Sequence, residues 1–260
     1  MNDTLKEIIA KKKQYLVQRM EDLPRAELIS RIAGIKPTLS FSKSINKSSS
    51  ISLIAEIKKA SPSQGVIRED FNPGDIAAIY KESGVQAISV LTEEDYFLGN
   101  IDYVRQVKSI ANLPVLRKDF IIQPYQIYES RAFGCDALLL IAEALSQETL
   151  SEFLALAGEL NLDCLVEIHT EKDLKKALKA KAELIGINNR DLHSLKVDFE
   201  ATQRLYPLIP KEKIVVVESG IKRYSDILFL KVLGVKAVLI GTAFMQAEDI
   251  KDKIKEVMGW

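Results

Sequence analysis

Eight short apolar runs from residue 51 onward constrain the fold of this chain more than any other feature of its sequence. Each run is rich in Ile, Val and Leu and is followed by a stretch with helical spacing. The runs start about 20 to 35 residues apart, which is the length of one β-strand with its following helix. They lack the alternation of a half-exposed strand, as expected for parallel strands covered on both faces. The runs are residues 52–57, 86–91, 114–116, 137–141, 164–168, 184–187, 214–217 and 237–240.

Eight such units predict an α/β fold of the (β/α)8 TIM barrel type, with a helical N-terminal extension. A doubly wound open sheet is the alternative, although that fold more often has about five to seven strands. It also often carries a glycine-rich turn after its first strand, whereas here the first run continues into Lys-Lys-Ala-Ser-Pro-Ser. The sequence therefore favours the closed barrel.

The predicted extension covers residues 1–50 and is expected to pack on a barrel formed by residues 51–260, so that the chain makes a single domain. Apolar residues near helical spacing, with lysines between them, predict an amphipathic helix over residues 4–20, and a second short helix is predicted over residues 24–32. Seven serines in residues 40–52 predict a linker or loop. The first helix could instead contact a membrane surface or a partner, but its apolar stripe lacks Trp and Phe anchors, which favours packing.

Composition argues against several classes of function. The chain has 36 basic and 36 acidic residues, whereas a nucleic-acid binder would usually be basic. Two cysteines cannot form a disulfide framework, and no apolar run approaches the roughly 20 residues that span a bilayer. The start of the chain lacks the compact apolar block of a secretory signal. We therefore expect a cytoplasmic protein that binds neither nucleic acid nor membrane.

Polar side chains end five of the eight predicted strands, and this feature is the most informative about function. Glu56 and Lys58 are two residues apart and share one face of the first strand. The other charged residues are in phase with the apolar residue two positions before them, so they can point into the barrel. Charges near a barrel interior are costly unless they are paired or functional, and barrel active sites lie at this end. The predicted catalytic set is Glu56, Lys58, Lys118, Glu167, Asn188 and Glu218.

Two lysines and three glutamates around one mouth make an acid–base set. Crowded cations are expected to lower the pKa of a lysine, and a low-dielectric wall is expected to raise the pKa of a carboxylate, so that both approach neutral pH. A lysine could instead form a Schiff base with a carbonyl substrate, as in barrel aldolases. The residues alone leave both chemistries open.

A phosphate site is predicted from the last two strands. Ser219 and Gly220 follow the seventh run, and Gly241 and Thr242 follow the eighth. Barrels often hold a phosphate in these two loops, using backbone N–H groups that glycine lets approach the anion. Ser61, in the first loop, can add a hydroxyl group.

Taken in order, these residues closely resemble the indole-3-glycerol phosphate synthase family. The first matching segment, Ile-Ala-Glu-Ile-Lys-Lys-Ala-Ser-Pro-Ser at residues 54–63, is highly specific. The others follow in the family's order: Leu-Arg-Lys-Asp-Phe at 116–120, Leu-Val-Glu-Ile-His at 165–169, Gly-Ile-Asn-Asn-Arg-Asp-Leu at 186–192, Val-Glu-Ser-Gly-Ile at 217–221 and Gly-Thr at 241–242. The resemblance covers residues 51–260, and the extension also looks like the family's segment before the first strand.

This resemblance implies a carboxy-lyase of tryptophan biosynthesis that uses no cofactor and no metal. Its substrate would be a phosphorylated small molecule, 1-(2-carboxyphenylamino)-1-deoxyribulose 5-phosphate, and its products indole-3-glycerol phosphate, carbon dioxide and water. Lys118 would be the general acid that protonates the carbonyl oxygen during ring closure. Glu167 would act as acid or base in the dehydration. Lys58 would hold the substrate carboxylate and could supply a second acid.

The remaining site residues follow from the same resemblance. Glu56, Asn188 and Glu218 would hold the lysines and the substrate hydroxyl groups. The implied phosphate and substrate contacts are Ser61, Arg190, Ser219, Gly220, Gly241 and Thr242. The implied apolar wall around the anthranilate ring is Phe97, Phe120, Leu192 and Ile240, with Leu139 more readily explained as ordinary core. The chain is expected to act as a monomer.

Two other functions stay open on the sequence. Phosphoribosylanthranilate isomerase is disfavoured because it lacks the segment at 54–63 and usually works with a Cys and an Asp. A non-catalytic phosphate-binding barrel would be expected to lose Lys118 or Glu167. His169 and His193 have no readable partner and are expected in supporting or surface positions. If residues 1–45 cover the barrel mouth, deleting them should raise KM more than it lowers stability.

Overall fold

The computed structural model describes residues 4–47 and 50–260, and it confirms the predicted closed barrel. Every neighbouring pair of strands is parallel, and the first strand pairs with both the second and the last, which closes the sheet. The strands are β1 Ser52–Ile57, β2 Ala87–Leu91, β3 Val115–Lys118, β4 Ala137–Ile141, β5 Asp163–Ile168, β6 Leu184–Asn188, β7 Ile214–Glu218 and β8 Ala237–Ile240.

Three strands run past their predicted ends, and each then ends on a polar residue of the predicted catalytic set. β3 continues to Lys118, β6 to Asn188 and β7 to Glu218. These residues still pair across the sheet, with Lys118 opposite Leu91 and Asn188 opposite Glu218. The backbone ladder of the barrel therefore fixes where each of these polar side chains leaves its strand.

A layer of helices surrounds the barrel. The helices are α1 Thr4–Asp22, α2 Arg25–Ala33, α3 Phe41–Ile45, α4 Pro73–Glu82, α5 Asp102–Ile110, α6 Pro124–Ala132, α7 Gln147–Glu159, α8 Glu171–Lys179, α9 Glu200–Leu205, α10 Tyr224–Leu233, α11 Thr242–Met245 and α12 Ile250–Met258. A short hairpin of Ala60–Ser61 and Gly65–Val66 follows β1. None of the described helices is both long and apolar enough to cross a membrane.

The buried apolar residues of the described part of the chain form two clusters, one inside the barrel and one between the barrel and its helices. In β1, Ile54 belongs to the inner cluster, whereas Leu53 and Ala55 belong to the outer one. Both faces of the strand are therefore buried, and all six of its residues are. This double burial is the reason why the runs lack an alternating pattern in the sequence.

The serine-rich segment departs from its prediction as a linker, because residues 41–45 form the helix α3. The side chain of Ser40 accepts a hydrogen bond from the N–H of Lys43, which caps the helix. Phe41 and Ile45, one helical turn apart, are fully buried in the inner cluster. Ser48 and Ser49, which belong to the same predicted linker, lie outside the described residues.

Two backbone contacts fix α3 at the N-terminal end of the barrel. The N–H of Leu39 donates to Asp136 at 2.7 Å, and the N–H of Ser42 donates to Asp163 at 2.8 Å. Asp163 is the first residue of β5, and Asp136 directly precedes β4. The segment that the serine content predicted to be a loop therefore covers the N-terminal end of the barrel.

The two longer N-terminal helices form close to their predicted positions, and α1 contacts the barrel through two basic residues. Lys12 lies 2.9 Å from Asp119, directly after β3, and 2.6 Å from Glu94, after β2. Arg19 lies 2.7 Å from Glu129 of α6. Because residues seven apart share a helix face, one side of α1 carries both of these ion pairs.

Candidate active site

A cavity of about 970 Å³ lies at the C-terminal ends of the strands. Every residue of the predicted catalytic, phosphate-binding and apolar sets lines it, as does Leu139. Three residues of α1 that the sequence did not indicate, Thr4, Leu5 and Ile8, form another part of its wall. They lie on the apolar side of a helix remote in sequence from the strands, so no local pattern separated them from ordinary core residues.

Lys118 lies between two carboxylates at the end of β3. Its Nζ is 3.2 Å from Oε2 of Glu167 on β5 and 3.3 Å from Oε2 of Glu218 on β7. Both glutamates are almost fully buried, and the lysine side chain is 15% exposed. Gly186 in β6 leaves the room for this cluster, because a Cβ there would lie 2.5 Å from Oε1 of Glu218.

The charges in this cluster set the protonation of its members. Burial alone would lower the pKa of Lys118, but the negative charges of Glu167, Glu218 and Glu56 outweigh it and raise that pKa. Burial would likewise raise the pKa of Glu167, but Lys118 and His169 outweigh it and lower that pKa. Burial, together with the nearby carboxylates, raises the pKa of Glu218 to about 7.

These directions test the expectation that the pKa values of the lysines and of the glutamates would move toward neutral pH. The expectation is wrong for Lys118 and Glu167 and confirmed for Glu218. The physical reason is the alternation of charge around the mouth: carboxylates, not other cations, lie next to Lys118. The site therefore holds a charged lysine against one ionised carboxylate, and a second carboxyl group whose pKa lies near neutral pH.

Lys58 forms a second ion pair at the end of β1. Its Nζ lies 2.8 Å from Oε1 of Glu56 and donates to the hydroxyl of Thr242 at 3.0 Å. A Cβ on Gly241 would collide with Glu56, so the glycine lets this pair sit against the loop after β8. The ammonium group of Lys58 therefore contacts both Glu56 of β1 and Thr242, which follows β8.

The loop after β7 has an unusual backbone. Ser219 and Gly220 both have positive φ angles, of 65° and 84°. Such a conformation is uncommon for serine. The side-chain amide of Asn189 supports it, because its Nδ2 donates to the carbonyl oxygen of Ser219 at 3.1 Å. Consecutive residues in such conformations can turn backbone N–H groups toward an anion.

An apolar wall faces the charged cluster. The rings of Phe97 and Phe120 lie 6.3 Å apart at a tilted angle. The loop that carries Phe97 is held by buried Glu93, whose carboxylate accepts the backbone N–H groups of Asp95, Tyr96 and Phe97. The cavity therefore combines a flat apolar side with a charged side, as small-molecule sites commonly do.

Both histidines have partners that the sequence did not reveal. Nε2 of His169 lies 3.5 Å from Oε1 of Glu167, and its Nδ1 lies 4.0 Å from Glu143. Nε2 of His193 lies 2.6 Å from the other oxygen of Glu143. Arg190 lines the cavity, and its backbone N–H donates to Oδ1 of Asn188 at 2.9 Å.

Comparison with known proteins points to one family. The sequence matches the family model of indole-3-glycerol phosphate synthase over residues 5–257. A relative of that name from Acetivibrio thermocellus is 49% identical over 254 residues, covering 97% of this chain and 98% of the relative. One from Dehalococcoides mccartyi strain CBDB1 is 48% identical over 258 residues, covering 98% of this chain and 99% of the relative.

Solved structures of distant sequence share the fold. A 3-hexulose-6-phosphate synthase from Salmonella typhimurium superposes with a TM-score of 0.63 at 11% identity, covering 80% of this chain and 97% of that one. A thiamine phosphate pyrophosphorylase from Pyrococcus furiosus gives 0.58 at 16% identity, covering 80% and 93%. At such low identity these likenesses support the barrel and no particular chemistry.

Proposed function

Since the chain belongs to the indole-3-glycerol phosphate synthase family, we propose that Lys118 and Glu167 carry the acid–base steps of its reaction at the barrel mouth. The enzyme converts the phosphorylated substrate 1-(2-carboxyphenylamino)-1-deoxyribulose 5-phosphate into indole-3-glycerol phosphate, carbon dioxide and water. It is a carboxy-lyase of tryptophan biosynthesis, so the isomerase and the non-catalytic barrel are set aside. The observation that carries the residue roles is the contact of Lys118 with two buried carboxylates in the cavity.

Ring closure needs a proton at the substrate carbonyl oxygen. The aromatic carbon attacks that carbonyl, and the oxygen becomes an alkoxide unless an acid protonates it. The raised pKa of Lys118 keeps its ammonium group charged through the neutral range, and an alkoxide is basic enough to take that proton. Loss of carbon dioxide then restores the aromatic ring.

Dehydration needs an acid for the departing hydroxyl group and a base for the proton that the new ring gives up. The lowered pKa of Glu167 makes it a carboxylate in the resting site, which suits the base. After accepting a proton it can return it to Lys118, because the two groups are 3.2 Å apart. Lys58, beside Glu56, is the proposed anchor for the substrate carboxylate and an additional acid.

The phosphate is proposed to bind at the backbone of Ser219–Gly220 and Gly241–Thr242, with Ser61 adding a hydroxyl group. The hydrophobic wall of Phe97 and Phe120 suits the anthranilate ring. The direct test follows indole fluorescence after the intact chain is mixed with the synthetic substrate. We expect an increase in emission with release of carbon dioxide. A chain that consumes no substrate would overturn the proposal.

The extension is proposed to form part of the substrate site, within the single domain expected from the sequence. Leu5 and Ile8 of α1 line the cavity and are almost fully buried, so the helix covers one side of the mouth. We further propose that the protein works as a monomer, because one chain supplies every proposed site residue. We also propose that it is cytoplasmic.

Shortening these two side chains tests the role of α1. Leu5→Ala and Ile8→Ala should each raise KM by roughly 5-fold to 30-fold, since each removes on the order of 1–2 kcal/mol of apolar contact, while kcat changes little. The matched control is Leu16→Ala, which lies on the same helix but away from the cavity. That variant should lower stability without raising KM. Equal KM values in all three variants and the native protein would show that α1 only packs.

A further inference from the structure

The proposed reaction consumes one proton from solvent in every turnover. The carboxylate substrate carries one more negative charge than its phosphorylated product, and carbon dioxide and water leave uncharged. Two protons enter, at the carbonyl oxygen and at the departing hydroxyl group, and one is given up by the ring. Because Glu167 can return the ring proton to Lys118, the proton still missing is the one given to the departing hydroxyl group. The set of Lys58, Lys118 and Glu167 therefore ends each turnover one proton short unless a path to water recharges it.

The two oxygens of Glu167 face different partners. Oε2 lies 3.2 Å from Nζ of Lys118, while Oε1 lies 3.5 Å from Nε2 of His169. The histidine side chain is only 7% exposed. Within residues 4–47 and 50–260 neither of its ring nitrogens makes a hydrogen bond, which is unusual for a buried polar group. Glu167 thus connects the catalytic lysine to an imidazole that no other part of the proposed mechanism uses.

From His169 the line of ionisable groups continues outward. Its Nδ1 lies 4.0 Å from Oε2 of Glu143, whose Oε1 lies 2.6 Å from Nε2 of His193. Glu143 is 32% exposed and His193 is 41% exposed, so this end of the line reaches water. Glu143 follows β4, His169 follows β5 and His193 follows β6, so the barrel order itself brings the three side chains together.

We propose that His169, Glu143 and His193 form a proton relay that recharges Glu167, and through it Lys118, from solvent after each turnover. This inference rests on the proposed function. His169 releases the proton on Nε2 to Oε1 of Glu167 and accepts one at Nδ1 from Glu143. Glu143 is recharged through His193 from water, and each transfer moves one proton and no electrons. A small rotation of the part-exposed Glu143 closes the 4.0 Å gap, and a flip of the imidazole restores its starting tautomer.

A relay that recharges the site leaves the first turnover intact and limits the later ones. His169→Asn keeps a polar side chain but cannot pass a proton between two nitrogens. After rapid mixing with excess substrate, we expect one product per active site to form at the native rate, followed by turnover slowed at least about 10-fold. Added imidazole should restore the later turnovers and leave the native enzyme unchanged. The native first-turnover rate also shows that the variant is folded.

Glu143→Gln provides an independent variant at a part-exposed position, where misfolding is not expected. It should show the same burst and the same rescue, whereas Glu152→Gln on the exposed side of α7 should behave as the native protein. A first turnover slowed as much as the later ones, later turnovers insensitive to imidazole, or unchanged steady-state rates would each overturn the relay. A native chain that makes no indole product would instead overturn the proposed function.

Discussion

Replacing Lys118 by Met is expected to abolish measurable turnover while changing substrate affinity much less. The methionine retains the apolar stem but cannot protonate the carbonyl oxygen, and a positioned acid or base contributes about 10²-fold to 10⁴-fold to a rate. The proposed phosphate contacts lie on the loops after β7 and β8, and the proposed carboxylate anchor is Lys58. The groups that hold the substrate are therefore largely separate from the group that protonates it.

The experiment compares kcat, from indole fluorescence, with the Kd for an unreactive substrate analogue. A matched control is Lys231→Met, which makes the same change on the exposed side of α10 and should leave both values unchanged. We expect kcat to fall by at least about 10²-fold with a Kd within a few fold of the native value. Near-native kcat in the Lys118 variant would remove the assignment of this lysine as the acid.

Of the substitutions proposed here, Arg117→Leu is expected to lower the free energy of unfolding most. Arg117 points away from the barrel interior and is 1% exposed, between Asp119 at 3.0 Å and Glu129 at 2.9 Å. Lys12 and Arg19 of α1 bind the same two carboxylates, so the network joins the extension to β3 and α6. Removing one partner from a buried ion pair leaves an uncompensated charge, and we expect a loss of about 3–5 kcal/mol in the free energy of unfolding.

Urea unfolding of the Arg117→Leu variant measures this loss. The control Arg204→Leu breaks a solvent-exposed pair with Asp198, which should cost no more than about 1 kcal/mol. A loss of about 1 kcal/mol or less in both variants would show that the buried network contributes no more than an exposed pair.

The same variant should shift the acid limb of the stability curve. Burial alone would raise the pKa of Asp119, but Lys12 and Arg117 outweigh it and hold that pKa well below its usual range. The stability from this carboxylate is therefore complete above roughly pH 4 and is lost as the pH falls through the folded pKa. Without Arg117 the folded pKa rises toward the unfolded value, so the loss of stability below roughly pH 4 should be smaller in the variant and should end at a higher pH.

Periodicity in the sequence was enough to predict the barrel and the direction of most site residues. A strand buried on both faces needs an unbroken apolar run, and period-two geometry places Glu167 and Glu218 in phase with inward residues. The residue roles stay predictions, although the cavity gathers all of these side chains. The same local signals failed for α3, because serine content suggested a loop while the burial of Phe41 and Ile45 in the barrel floor stabilises a helix.

The sequence by itself determined the number and order of the strands, the end of the barrel at which charge collects, and the family. Only the tertiary structure decided which charges meet. Lys118 and Glu167 are 49 positions apart, and Lys12 and Glu94 are 82 apart. No local pattern encodes such pairs, because they form only when the barrel closes and α1 packs against it. Closure reverses the expected pKa direction of Lys118, since carboxylates rather than cations become its neighbours in a low-dielectric site.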